Sequence, residues 1–297
     1  MDYNSISRTP SGLIAEATIR DVDCIFHIEG KGDADIISNL PDYIFYDSIL
    51  SMYSPKKYEI KVEGGKSGLK CLANELASIS EDDETHVIIM DRDHDSSIGI
   101  PLLDFNFIKY THGYSYENDF WTSMFIRKFL SDLSLDDVEV ELYIKQWKRL
   151  ERRIAFIHKL NLLARANGRQ LFAFKGLCGI TFSYENDRIS IDKDCISRVK
   201  SSWSSLSIQA SPQTIQANQL LKNSFLSHPG YLIQGHAYES YVLEFINLVY
   251  GKLQLFPQKT KNNMFNKNTA FLSFKRDPSR YLAASTLSHY SQILQHI

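Results

Sequence analysis

The stretch VIIMDRDHD (87–95) runs an apolar pattern straight into three acids at alternate positions. On an extended backbone, residues two apart share one side, so Asp91 and Asp93 can converge where the strand leaves its sheet. Open α/β sheets bind ligands at that carboxyl edge, and paired carboxylate oxygens there suit a hard ion such as Mg²⁺. A second acid stands in matching context. Glu29 ends the apolar run CIFHIE (24–29) and is followed by Gly30, Lys31, Gly32 and Asp33, a tight turn ahead of a helical pattern.

Simpler readings share this grammar. An EF-hand loop opening at Asp91 needs Gly at its sixth position and Glu at its twelfth, where this chain has Ser96 and Leu102. A phosphatase of the haloacid-dehalogenase type also puts DxD after an apolar strand, but it favours Thr or Val where Asp95 stands. Solvated acids capping a strand are the plain alternative, because Asp is common in such loops. The strand-end Glu29 weighs against that last reading.

The elements that must position these acids are legible as alternation. Short apolar runs and segments at helical spacing take turns through the first 130 residues, the pattern of a parallel sheet with crossover helices. CIFHIE predicts the first strand, a helix follows from about Asp33, and YEIKVEGG (58–65) predicts the second strand. Leu69, Leu72, Leu76 and Ile79 then share a helical face, before an acidic loop from Glu81 to Glu84. HVIIMD (86–91) has the continuous apolar run of a central strand, and FIKYT (107–111) that of an edge strand. Four strands are expected. After about Phe129 the texture becomes helical, beginning with Val138 to Ala166. A hairpin over 180–191, a Ser-rich connection over 201–211, and helices near 213–226, 237–252 and 278–295 complete it. The expected organisation is an α/β domain over 20–130, a parallel sheet flanked by helices, followed by a mainly α-helical domain over 131–297.

Composition narrows the function classes. With 33 basic and 35 acidic residues, no global field drives the chain onto nucleic acid, so any such surface must be local. The start MDYNSISRTPSG lacks the pattern of a secretory signal, and no stretch has the length of a membrane span, which predicts a cytoplasmic protein without a membrane partner. Cys24, Cys71, Cys178 and Cys195 lie far apart without a CxxC pair, arguing against a zinc site and a disulfide framework.

In order along the chain stand FHIEGKGDADII, VEGGKSGLKCL, IIMDRDHD and YSYENDF (114–120). A strand-end Glu followed by a central strand ending in DxD resembles the TOPRIM domain of topoisomerases, bacterial primases and OLD-family nucleases. The ordered set is similar, more narrowly, to TOPRIM-like effectors encoded beside ATPases in bacterial anti-phage systems, of the PARIS kind. The match covers roughly residues 20–130, with YLIQGHAYE (231–239) a weaker piece beyond it. The resemblance implies a nuclease held inactive by an ATPase sensor subunit, with tRNA as its substrate class; it leaves a homodimer open for the free protein. It implies Glu29, Asp91 and Asp93 as the catalytic and metal-holding residues, Glu117 and Asp95 as further ligands, and Mg²⁺ or Mn²⁺ as cofactor. Nothing marks the active-site tyrosine or the DNA gate of a topoisomerase, which argues against strand passage.

Other residues are candidates for substrate contact. Gly64 and Gly65 let backbone approach the site and can present Lys66 to a phosphate, or they form an ordinary strand-to-helix turn. His236 precedes a helix and either touches substrate or caps that helix. Between Tyr143 and Lys175 stand Lys145, Lys148, Arg149, Arg152, Arg153, Lys159, Arg165, Arg169 and Lys175 against one acid, Glu151. This is a phosphate-tracking helix, with Arg152 and Arg153 as its contacts, or a solvated helical face. Lys252 to Arg280 is basic as well, and interleaves Phe256, Phe265, Phe271, Phe274 and Tyr281, either to stack bases or to pack a core. The expectation is a metal-dependent RNA endonuclease acting as a toxic effector. Its contrary is an inactive module that only docks on an ATPase or on nucleic acid.

Overall fold

The alternation of the first half folds into a four-stranded parallel sheet with the order β2-β1-β3-β4. The computed structural model describes the chain apart from residues 1–8, 31–36, 80–84, 96–99, 134, 173–179, 187, 207, 209–211, 253–266 and 296. The turn at Lys31–Asp33, the loop 81–84, Ser96, Lys175, Cys178, Phe256 and Phe265 therefore lie outside the described residues. The elements of the sheet half are α1 (Pro10–Ile19), β1 (Cys24–Gly30), α2 (Pro41–Tyr53), β2 (Tyr58–Gly64), α3 (Gly65–Ile79), β3 (His86–Met90) and β4 (Ile108–Tyr110). β1 and β3 take the centre, and the apolar runs that predicted them are buried from Cys24 to Ile28 and from His86 to Met90.

The expected helix start near Asp33 lies outside the described residues, and the helix described after β1, α2, starts at Pro41: Pro41 pre-sets the first helical φ, and Leu40 before it is extended, with ψ 135°. Helix α1 was not anticipated, since its apolar residues form no clear stripe. Thr9 caps it, its hydroxyl accepting the Gly12 N–H at 3.1 Å, and Pro10 opens the first turn.

A polar chain crosses the sheet. His27 Nδ1 lies 2.9 Å from Glu63 Oε1, and His27 Nε2 lies 2.9 Å from His86 Nδ1. His86 Nε2 in turn reaches the Leu13 carbonyl of α1 at 2.8 Å. Both imidazoles are fully buried, so their ring nitrogens need these partners.

The second half contains α4 (Tyr116–Phe120), α5 (Ser123–Asp132), α6 (Asp137–Ala166), the hairpin β5 (Phe182–Glu185) and β6 (Arg188–Ile191), α7 (Lys193–Ser205), α8 (Pro212–Ser227), α9 (Gly235–Lys252), α10 (Lys267–Arg276) and α11 (Ala284–Leu294). The Ser-rich segment read as a connection is helical through Ser205. Its serines satisfy themselves inside the helix, Ser204 Oγ donating to the Lys200 carbonyl at 2.9 Å and Ser205 Oγ to that of Ser202 at 2.7 Å. The last helix begins at Ala284 rather than 278, because Pro278–Arg280 forms a 3₁₀ turn, and α10 had not been anticipated.

Aromatic packing joins the halves. Phe120 stacks on Phe271 at 4.3 Å between centroids, and Phe45 of α2 stacks on Phe274 of α10 at 5.7 Å. One apolar cluster runs from Phe26 and Phe45 to Trp147, Phe245 and Phe271, so residues before and after position 130 share a core. Each such ring contributes about 1.5–3 kcal/mol by leaving water. No helix among the described residues is long and apolar enough to cross a membrane.

Candidate functional site

β1, the loop after β3, and α4 deliver the acids to the carboxyl edge of the sheet. Glu29 stands at the end of β1, paired in register with Glu63 of β2, and Asp91 follows directly on β3. The DRD loop is laced to the segment after β4. The Thr111 N–H donates to the Met90 carbonyl at 3.0 Å and the Asp93 N–H to that of Tyr114 at 2.8 Å, while the Arg92 N–H reaches Thr111 Oγ1 at 3.1 Å. This lacing turns the backbone at Asp93 into the left-handed region, φ 51°, a conformation that Asp tolerates better than most residues. Gly65, φ 77°, makes the corresponding bend that starts α3 and carries Lys66 to the same edge.

Lys66 Nζ lies 2.5 Å from Asp93 Oδ2 and 2.8 Å from Asp95 Oδ2. The two carboxylates raise the lysine's pKa despite partial burial, which on its own would lower it. The Lys66 backbone N–H, at the positive end of α3, bonds the Glu29 carboxyl. Burial and the charges of Asp93 and Glu117 nevertheless push Glu29 upward, and its Oε2 is buried without a partner. Asp91 is raised further, by burial and then by Glu117, Glu29, Asp93 and Asp42. The acids therefore lie close enough to oppose one another's ionisation.

Every residue of α4 is buried, and each polar one has a task. Glu117 Oε1 pairs with His236 Nδ1 at 2.8 Å, and its Oε2 accepts the Ser115 hydroxyl at 2.6 Å. Burial would raise Glu117, but His236 and Ser115 outweigh it and hold the carboxyl below its ordinary pKa; Glu117 in turn raises His236. Asn118 Nδ2 donates to the carbonyls of Gly230 and Ile233 at 2.8 and 2.9 Å, tying down a 3₁₀ turn at Pro229–Leu232. Asp119 accepts the N–H groups of His112 and Gly113 and the hydroxyl of Tyr290, yet burial lifts its pKa to about 7. Gly235, opening α9, must be glycine: an added Cβ would stand 2.1 Å from Ser115 Oγ and 2.6 Å from Glu117 Oε2.

The expected site residues thus divide. Glu29, Asp91, Asp93, Asp95, Lys66, Glu117 and His236 form one connected group, and the fold adds Asp42 of α2, raised by burial and facing Glu117. Asp42 was missed because an acid in a first helical turn reads as ordinary dipole complementation. Arg152 and Arg153 stand apart from the acids. With Phe156, Ile157, Ile191, Ile196 and Phe225 they border an apolar groove of about 410 Å³. The lone acid of that stretch, Glu151, turns inward to the Tyr238 hydroxyl, which leaves Lys145, Lys148, Arg149, Arg152 and Arg153 exposed on α6. Phe271, Phe274 and Tyr281 are buried, so these three aromatics pack the core and present no stacking surface.

Glu29, Asp91, Asp93 and Glu117 offer the hard oxygen donors that Mg²⁺ takes, and the unpartnered Glu29 Oε2 fits such a use. As the side chains lie, no three His, Cys, Asp or Glu groups among the described residues converge on one ion-sized point. Lys66 and His236 hold the carboxylates instead. Comparison of the chain with known protein families and with curated proteins gives no match.

Proposed function

We propose that the protein is a metal-dependent phosphodiesterase acting on nucleic acid, with RNA, and tRNA within it, as its substrate class. The observation supporting this most is the gathering of Glu29 of β1, Asp91 and Asp93 of the loop after β3, and Glu117 of α4 into one electrostatically coupled group at the sheet edge. A fold gains nothing from crowding buried like charges, and such clusters concentrate at functional sites. Asp91, Asp93 and Glu117, with Asp95 beside them, would hold Mg²⁺ or Mn²⁺, which supplies polarisation of a phosphoryl oxygen and a water of lowered pKa. Burial keeps a proton on Glu29 to higher pH than an ordinary carboxyl, the state from which it can protonate the leaving 3′ oxygen. Lys66 can exchange its carboxylates for a non-bridging phosphate oxygen as substrate arrives. His236 orients Glu117, and the exposed basic row of α6 adds long-range attraction for phosphate.

The TOPRIM assignment, the ATPase partner and the role in anti-phage defence rest on the ordered sequence motifs. One observation favours the contrary reading of a binding-only module: Lys66 already neutralises Asp93 and Asp95. The purified chain separates the two. Incubated with tRNA, it is expected to cleave in Mg²⁺ or Mn²⁺, to leave 5′-phosphate ends, and to be silent in chelator or as Glu29→Gln. Cleavage that survives chelator, or full activity in a folded Glu29→Gln chain, would remove the carboxylate site from the reaction. Nucleic-acid binding without any cleavage would favour the module.

A further inference from the structure

A polar cleft of about 350 Å³ adjoins the acids, lined by Arg92, Asp93, His112, Ser227, His228 and Tyr231 among others. Asp93 belongs both to this cleft and to the acidic group, so an occupant lies directly against the proposed reaction centre. The volume falls within the range of about 300–1,000 Å³ that holds small organic ligands.

The chemistry of the walls is specific. Arg92 spends its Nε–H on the Thr111 carbonyl at 3.1 Å, and no carboxylate among the described residues forms an ion pair with its terminal nitrogens. A guanidinium fixed in this way, with further N–H groups left over, is suited to a phosphate. In the same cleft, the exposed His228 ring stacks on Tyr231 at 4.9 Å and 10° between planes. The Tyr231 hydroxyl is fixed in turn by His112 Nδ1 at 2.5 Å. Burial, and the neighbouring His289 and His228, lower the His112 pKa to about 4, so its ring is a neutral partner at ordinary pH. The wall behind is braced from inside by Asn118, which holds the Gly230 and Ile233 carbonyls on either side of Tyr231 and Leu232. A flat aromatic pair held rigid beside the Arg92 guanidinium matches one unpaired nucleotide, base on the rings and phosphate on Arg92.

We infer that this cleft is the subsite for a single unpaired nucleotide flanking the scissile phosphate, so that the protein cuts at a single-stranded position of its substrate. The inference rests on the nuclease reading above, and the test keeps the two apart. The full chain in chelator is titrated with a fluorescein-labelled ten-nucleotide single-stranded RNA and with the same strand in a blunt duplex, followed by anisotropy, and cleavage of the single strand is measured separately in Mg²⁺. The single strand is expected to bind more tightly than the duplex. His228→Ala should weaken its binding on the order of tenfold, the loss typical of one stacked base. His228→Trp should restore it, and Arg92→Gln should weaken it as well. In the cleavage assay His228→Ala should raise KM while kcat stays within a few-fold. His228 is exposed, so its variants report on binding even where Arg92→Gln disturbs the loop. Wild-type affinity and KM in His228→Ala, or tighter binding of duplex, overturns the subsite while leaving the nuclease standing. A wild-type chain that neither binds nor cleaves overturns both.

Discussion

If Asp93 holds the proposed metal ion, Lys66 competes with that ion for its carboxylate, and removing the lysine should tighten Mg²⁺ binding. Its Nζ lies 2.5 Å from Asp93 and 2.8 Å from Asp95, with all three side chains roughly a quarter exposed or less. A charge-assisted hydrogen bond contributes about 1.5–3 kcal/mol, and partial exposure to water argues for the lower end of that range. Lys66→Met relieves an incoming ion of that competition, so the Mg²⁺ Kd should fall by roughly tenfold, the equivalent of about 1.4 kcal/mol. The same change leaves Asp93 and Asp95 without a counter-ion beside Glu29 and Asp91, so the metal-free protein should lose about 1–3 kcal/mol of stability. Mg²⁺ should return most of it, since an ion at one hundred times its Kd stabilises by about 2.7 kcal/mol. Titration calorimetry measures the affinity, and urea unfolding with and without chelator measures the stability. Lys66→Arg, which keeps the charge, should stay near wild type in both. Weaker or unchanged Mg²⁺ binding in Lys66→Met would refute the reasoning, because it would mean that the lysine arranges the acids for the ion rather than standing in its place.

Three further outcomes follow from the geometry. Asp119 has its pKa raised from 3.8 to about 7 in the folded state, so its contribution to stability is fully present below pH 4 and is lost as pH rises toward 7, by at most on the order of 4 kcal/mol. Asp119→Asn should therefore show a shallower fall in unfolding free energy from pH 4 to 7 than wild type, and parallel pH profiles would contradict the buried-acid account. Gly235→Ala should cost about 1–3 kcal/mol by driving a methyl into Ser115 and Glu117, visible as a lowered Tm together with reduced cleavage; an unchanged Tm would show that α9 can withdraw freely. Arg152→Glu with Arg153→Glu should weaken RNA binding and flatten its salt dependence while kcat persists. Unchanged RNA binding would assign their apolar groove to another partner.

The parts of the fold legible in the sequence are those whose local pattern and tertiary fate coincide. CIFHI and HVIIM are continuous apolar runs because both faces of the central strands are covered, and α6 keeps a strong apolar spacing from Val140 to Ile157 along its 30 residues. The acids were legible because a carboxylate at the end of such a run has few structural reasons to be there. What escaped depends on partners distant in sequence. Helix α10 shows itself only as Phe271 and Phe274 meet Phe120 and Phe45, and nothing local says that Asn118 holds carbonyls more than a hundred positions away. Leu142, within the helical pattern of 138–166, is half exposed at 50%, since helical spacing alone does not decide where the edge of a buried stripe falls. The His228 and Tyr231 platform likewise had no signal beyond two aromatic letters three apart.

The chain from Glu63 through His27 and His86 to Leu13 has a direction. A carbonyl oxygen can only accept, so His86 must carry hydrogen on Nε2. In the tautomer that leaves His86 Nδ1 bare, His27 donates from Nε2 and turns its Nδ1 toward Glu63 Oε1. The tautomer of each ring is thus tied to a backbone oxygen in the first helix, three groups from the acid. Glu63 is the register partner of Glu29, and Gly64 and Gly65 are all that separate it from Lys66. The seat of α1 and the order of hydrogen bonds beside the acidic edge are therefore linked: pulling the helix away removes the acceptor that fixes His86, and frees both imidazoles to reverse behind the site.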